Sequence, residues 1–368
     1  MRDAWPQALV DLPADALVDA QIALLLVQDG VTNGAIYALM ALALVLIFAV
    51  TRIIFIPLGE FVAYGALTLA GLQSGTVPLT LALLAVLAAL AALLDSIAAM
   101  RAGRAGAIAR IVGLHALMPV LAAVAVRTLA VDKLPLALQI LLTMMIVVPL
   151  GPLVYRLAFQ RVAEASVLFL LIVAVAVHLV LLGLGLFFFG AEGSRTPAFT
   201  DGSLSLGSAS IQFQALWIVG IALALIVALA LFFERTIYGK ALRATALNRV
   251  GARLMGIPTE LAGRITFALA ALIGAFSGVL ISPITTIYYD TGFLVGLKGF
   301  VGAIIGALAS YPLAALGALL VGLLESFSSF YASAFKEVIV FTAIIPVLLW
   351  RSVRARAITW HRNAIGPR

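Results

Sequence analysis

The sequence predicts an all-α, polytopic membrane protein with about eleven transmembrane or re-entrant helices. Hydrophobic residues fill 64% of 368 positions and charged residues only 11%, against about a quarter charged in a soluble domain, so no water-soluble core absorbs the apolar excess. The apolar residues fall in runs of about 20, the length a helix needs to cross the hydrocarbon of a bilayer. Most of the 23 Lys and Arg sit between those runs rather than inside them.

Taken in order, residues 1–29 set Arg2 against Asp3, Asp11, Asp15, Asp19 and Asp29. That is the reverse of the basic start of a cleavable secretion signal, and an uncleaved N-terminus is expected. Residues 16–27 are too short to cross and are expected to form a helix lying on one membrane surface. Spans are expected near 30–50, 53–72, 77–99, 108–130, 134–155, 166–189, 212–233, 264–288, 294–309, 312–330 and 336–350. The chain thus divides into an interfacial segment (1–29), a transmembrane domain (30–350) and a basic tail (351–368).

Threading these spans alternately places 17 of the 23 cations on one side: Arg52, the 101–110 and 156–161 groups, the stretch 235–264 and the tail. Cytoplasmic loops retain Lys and Arg, so the N-terminus is expected outside and the C-terminus in the cytoplasm. The Gly, Ser and Thr-rich stretch 190–211 reads as an outer loop. The stretch 234–264 differs, interleaving Arg235, Lys240, Arg243, Arg249, Arg253 and Arg264 with Leu242, Leu247 and Leu254 before a stop at Gly256-Ile257-Pro258. It is expected to be a basic amphipathic helix of about 30 residues with its flanks, either resting on anionic headgroups or docking a soluble subunit.

Several chemistries are excluded. There is no cysteine, hence no disulfide or thiolate site. No G-x-x-x-x-G-K-[ST] phosphate cradle, H-E-x-x-H or G-x-S-x-G motif is present, so the chain is expected to be no enzyme and to hold no cofactor. The net charge of +7 is spread between apolar runs rather than gathered on a face with aromatic residues, which argues against nucleic acid.

Three blocks carry a resemblance: Asn33-Gly34-Ala35-Ile36-Tyr37-Ala38-Leu39 leading to Gly59-Glu60; Gly239-Lys240-Ala241-Leu242-Arg243-Ala244 through Asn248-Arg249 to Leu254-Met255-Gly256-Ile257; and Gly292 through Phe300 followed by Gly302, Gly306 and Gly322-Leu323-Leu324-Glu325. In this order they resemble the LivH-type permease subunits of ABC importers for branched-chain amino acids, whose relatives move urea and amides. The resemblance implies an ABC importer permease fold and a coupling loop at 234–263, with Gly239, Lys240, Arg243, Asn248, Arg249, Arg253 and Gly256 facing an ATPase. It implies as partners a second permease subunit, two cytoplasmic ATPase subunits that bind ATP and Mg, and a periplasmic solute-binding protein, all at a bacterial inner membrane. Two departures stand out: Pro57-Leu58-Gly59-Glu60 where the family shows Ala-His-Gly-Glu, and an apparent extra helix pair within 90–150 that includes His115 and Arg127. The competing reading is an ion-coupled secondary transporter, which would require titrating groups inside the membrane and a repeat of broken helices.

Asn33, Glu60, Lys298 and Glu325 are the candidate residues of a translocation path or a buried ion pair. An ammonium in an apolar run costs about 2.5–3.5 kcal/mol unless paired or wet, so Lys298 is expected to pair with Glu60 or Glu325. The glycine run Gly296, Gly299, Gly302 and Gly306 permits close packing or a break in a helix. His115 and His178 read as isolated packing residues, and Arg127 as snorkelling to the interface.

Overall fold

The computed structural model describes residues 14–206 and 209–349. The basic tail and the first thirteen residues lie outside them. Among the described residues eight helices are long and apolar enough to cross a membrane. The axis is α1 (Ala14–Thr51), 89% of whose most apolar window is buried inside the protein. Its apolar side chains are covered mostly by protein rather than lipid, and the helix is unbroken from Ala14 to Thr51. Residues 16–27 are therefore not a separate surface helix: they are the first turns of α1, which runs on through Gly30 because α13 (Tyr311–Tyr331) packs there. A Cβ on Gly30 would stand 2.8 Å from the Leu323 backbone.

Two of the expected crossings are broken. Arg52 leaves α1 with φ +62°, residues 52–57 carry no helix, and α2 (Leu58–Gln73) has only 16 residues. Likewise α12 (Thr291–Ile305) has 15 residues and follows a non-helical stretch after Ser282. At 1.5 Å per residue neither covers the hydrocarbon by itself. The last expected crossing, 336–350, begins with a helix of seven residues, α14 (Lys336–Thr342). The expectation of about eleven transmembrane or re-entrant helices thus resolves into eight full-length candidates plus these shorter pieces.

Between α2 and the second half of the chain lie α3 (Thr80–Arg101), α4 (Ile108–Thr128), α5 (Leu136–Val147) and α6 (Leu150–Val154), which continues through a π-helical turn at Tyr155–Phe159. Only 11% of the most apolar window around α4 is buried, so this helix lies at the periphery. Helix α7 (Val167–Phe189) is capped by Ser166, whose hydroxyl accepts from the Phe169 N–H at 3.3 Å. The stretch 190–211 contains a hairpin, β1 (Ser203–Leu206) with β2 (Ala209–Gln212), paired Ser203 to Gln212. A backbone bridge from Ser194 to Ile287, with Arg195 Nε donating to the Pro283 carbonyl at 2.8 Å, ties this stretch to the segment ahead of α12.

The chain then runs through α8 (Phe213–Arg235), α9 (Ile237–Leu247), α10 (Arg249–Leu254) and α11 (Thr259–Ile281). Glycines set the interhelical distances at the centre. Gly59 and Gly292, each the second residue of its helix, lie so close that a Cβ on either would fall on the other's carbonyl oxygen. Gly278 of α11 meets the Val62 carbonyl of α2 in the same way. Close approach of this kind is how membrane helices associate when apolar contact alone gives no advantage over lipid.

Gly59→Ala is expected to cost at least about 1–3 kcal/mol, because the obstructing atom is backbone and the helices must separate. Gly183→Ala on α7, where a Cβ meets nothing within 4 Å, is expected to leave stability unchanged. Thermal unfolding of the two variants in detergent distinguishes these outcomes.

Candidate functional site: a buried charge centre and an exposed connector

Where the two half-length helices meet, their N-terminal ends converge around Glu60. Its side chain is fully buried. The position in the first turn of α2 is favourable for an acid, since the unpaired N–H groups and the helix dipole place partial positive charge there. Opposite stands His178, halfway along α7, with Nδ1 2.9 Å from Glu60 Oε1. The two meet off the hydrogen-bonding axis, and both Glu60 oxygens lack a hydrogen-bond partner among the described residues. The imidazole stacks on Phe293 of α12, centroids 4.6 Å apart and planes 27° from parallel. One helical turn on, at Gly296, lies an apolar cavity of about 250 Å³ walled by Leu44, Ile54, Ile56, Leu58, Leu171, Leu297 and Phe300.

Lys298 does not reach this centre. Its Nζ lies 2.6 Å from Glu325 Oε1 and 3.3 Å from Glu337 Oε1. The Tyr37 hydroxyl donates to Glu325 Oε2 at 2.5 Å, and Lys336 Nζ lies 3.7 Å from Glu325 and 3.6 Å from Glu337. Two ammonium groups and two carboxylates thus cancel, with the buried Lys298 and Glu325 at the middle. Asn33 is one turn before Tyr37 on α1 and, among the described residues, makes no side-chain hydrogen bond to the group.

The connector from α8 to α11 is not one helix of about 30 residues. Asn248 leaves helical geometry at φ −151°, ψ 101°, and its Oδ1 accepts from the Gly251 N–H at 2.9 Å. It ends α9 and caps α10, a role in which Asn competes well with helix continuation. Gly239 is required where α9 folds back on α8, since a Cβ would strike the Phe232 carbonyl. Gly256, at φ +80°, closes α10. Arg249 donates to the Ala163 carbonyl at 2.9 Å, and Arg253 pairs with Glu164 at 2.5 Å while donating to Thr259 Oγ1 at 3.1 Å. Lys240 and Arg243 point outward, and beside them Leu247, Leu254 and Met255 are each more than 80% exposed. Large aliphatic side chains so far in the open on a basic segment mark an interaction surface, for a protein or for the membrane.

Comparison with known proteins decides the family. The family described as branched-chain amino acid transport system, permease component, matches residues 26–349. The chain belongs to that family. Among relatives of this permease, the high-affinity branched-chain amino acid transport system permease protein LivH of Escherichia coli K12 is 33% identical over 203 residues, 53% of this chain and 65% of that protein. The corresponding protein BraD of Pseudomonas aeruginosa is 28% identical over 243 residues, 63% of this chain and 79% of BraD. A probable LivH of Methanocaldococcus jannaschii is 30% identical over 184 residues, 47% of this chain and 56% of its own length. The chain thus spans less than two thirds of the length of these LivH proteins. No solved structure matches it.

Sequence reasoning missed His178, Tyr37 as a partner of Glu325, and Lys336 with Glu337. Tyr37 stood inside the first block, but nothing in the spacing indicated that its hydroxyl reaches a carboxylate 288 residues away. His178 sits in a run so uniformly apolar that no face was distinguishable.

Lys298→Met is expected to destabilise the permease by about 3–5 kcal/mol, the cost of leaving a buried charge unpaired, with Lys336 offsetting part of it. Adding Glu325→Leu is expected to recover stability; strictly additive losses in a double-mutant cycle would show the pair uncoupled. At the connector, the Arg253 guanidinium holds the Glu164 carboxyl below the usual carboxylate range, first by hydrogen bonding and then by charge. A lowered acid contributes stability that is present above its unfolded pKa and lost as pH falls through the folded one. The tether is thus intact at neutral pH and released only in acid, and a carboxyl titration in Arg253→Gln is expected to return Glu164 upward.

Proposed function

We propose that the chain is the transmembrane permease subunit of an ABC importer for branched-chain amino acids or similarly small solutes such as urea and amides. A second permease subunit, two ATPase subunits carrying ATP and Mg, and a periplasmic solute-binding protein complete the machine. It sits in a bacterial inner membrane with the N-terminus periplasmic and the C-terminus cytoplasmic. The observation that carries this reading is the connector 236–258, a rigid basic element whose exposed Leu247, Leu254 and Met255 await a protein partner. The grouping of 17 of 23 cations on one side supports its cytoplasmic placement.

In this reading Glu60 receives the ammonium of a zwitterionic substrate through its unfilled oxygens, and the 250 Å³ cavity takes the aliphatic side chain. Movement of the connector reaches Glu60 through packed rings. Arg249 is fixed to the turn after the π-helical segment, whose Tyr155 lies 5.0 Å from Phe267; Phe267 lies 4.7 Å from Phe55, in the segment that leads into α2.

The test is leucine uptake into proteoliposomes holding the permease pair, its ATPases and its binding protein. Leu247→Ser with Leu254→Ser is expected to lower ATP-driven uptake on the order of tenfold, equivalent to about 1.4 kcal/mol of docking energy, with the thermal midpoint unchanged. Glu60→Gln is expected to abolish uptake while ATP hydrolysis persists. Full uptake by the double variant, or uptake that needs no ATP and collapses with an ionophore, overturns the proposal.

A further inference from the structure

A second cavity, of about 180 Å³, opens far from the Glu60 centre, between the peripheral helices α3 and α4 and the α6 to α11 wall. Its lining is divided. Leu84, Leu114, Met118 and Leu153 give it apolar walls, and Arg156, Arg264 and His115 line it as well. Leu114 and Met118 are themselves 62% and 44% exposed on α4, so the cavity is continuous with the surface that faces lipid.

The charged groups on its wall are held in different ways. Arg156 is bound to Asp95 through Nε at 2.8 Å and through a terminal nitrogen, which uses that carboxylate. His115 Nδ1 lies 2.9 Å from the Ile111 carbonyl, an acceptor only, so that nitrogen carries the ring proton; Nε2 lies 3.5 Å from Asp95. Arg264 bonds, among the described residues, only the neutral Gln160 Oε1, at 3.2 and 3.4 Å. Gln160 in turn donates to Glu260, one helical turn before Arg264 on α11, so that carboxylate is linked to the guanidinium through an amide, and the remaining N–H groups of Arg264 make no hydrogen bond among the described residues. Arg101, Arg104, Arg110 and Arg161, all exposed, follow on the adjoining turns.

We propose that this cavity binds an anionic phospholipid, its phosphate on Arg264 and its acyl chain along Leu114 and Met118. A basic pocket between helices near the cationic side of a membrane protein suits such a headgroup, and each cation near the surface contributes attraction to anionic lipid. The occupant is a lipid because the walls are hydrocarbon and open sideways onto bilayer, a route that a soluble anion does not take.

The experiment is native mass spectrometry of the full chain, stripped of lipid in detergent and resupplied with phosphatidylglycerol or phosphatidylcholine of the same chain length. Wild type is expected to retain the anionic lipid preferentially. Arg264→Gln is expected to lower its retention about fivefold, the equivalent of one cation's contribution, and Arg264→Lys to restore it. Met118→Trp fills the cavity without altering charge and is expected to give the same loss, so the test does not depend on one variant folding. Equal retention of both lipids by wild type overturns the proposal, as does retention unaffected by both Arg264→Gln and Met118→Trp. Displacement of phosphatidylglycerol by millimolar inorganic phosphate overturns it in favour of a soluble-anion site.

Discussion

The contact on which the rest of the structure depends is made by two residues without side chains. Gly59 and Gly292 bring the first turns of α2 and α12 backbone to backbone. Irregular backbone within a membrane domain survives only where protein covers it or a cavity wets it. Each broken crossing supplies the cover for the other. Their meeting also concentrates the partial positive charge of two helix ends, which is the electrostatic condition under which a carboxylate such as Glu60 sits fully buried in an apolar domain. Any side chain at either glycine would part the helices, widen the distance from Glu60 to Phe293 and His178, and expose the N–H groups that now face protein.

The connector is rigid for reasons that are local. Asn248 and Gly256 end its two short helices, Gly239 locks the first against α8, and Arg249 and Arg253 fasten the second to the turn at Ala163 and Glu164. Its cations therefore divide by role. Arg249 and Arg253 hold the element to its own protein, while Lys240 and Arg243 face outward with the exposed leucines. Braced in this way, the connector lies against the turn that follows the π-helical segment Tyr155–Phe159, a geometry that recurs at functional sites.

Legibility in the sequence followed the physics of each feature. Hydropathy identified the long spans because the bilayer imposes one length on every full crossing. It found the apolar segments near 53–72 and 294–309 without showing that they are half-length, because apolar composition continues through a break in the backbone and hydropathy does not register φ: the left-handed turn at Arg52 leaves no compositional trace. The start of α1 was misplaced for a related reason, since acidic residues near a helix start look interfacial whether or not the helix continues. The four candidate residues separated once distances were known. Lys298 demanded a counter-charge by its cost alone, but the choice between Glu60 and Glu325 rested on which helices face each other, and no spacing along one chain contains that.

The two buried charge groups differ in a way that decides their roles. Around Lys298 every charge has its opposite: Glu325 is met by two ammonium groups and a hydroxyl, and the group joins α1, α12, α13 and α14. One Glu337 oxygen lacks a hydrogen-bond partner among the described residues, but charge-matched networks of this kind fix a structure, and a substrate entering it would have to break ion pairs before making any. Glu60 is the opposite case, a carboxylate with acceptor capacity left over, a single nitrogen neighbour out of line, and an apolar cavity one turn away. An unfilled buried acceptor is costly to a protein at rest, and it is retained where a visiting donor completes it. By this criterion the Lys298 group is the frame, and Glu60 is the buried group whose spare acceptor capacity supports the proposed substrate contact.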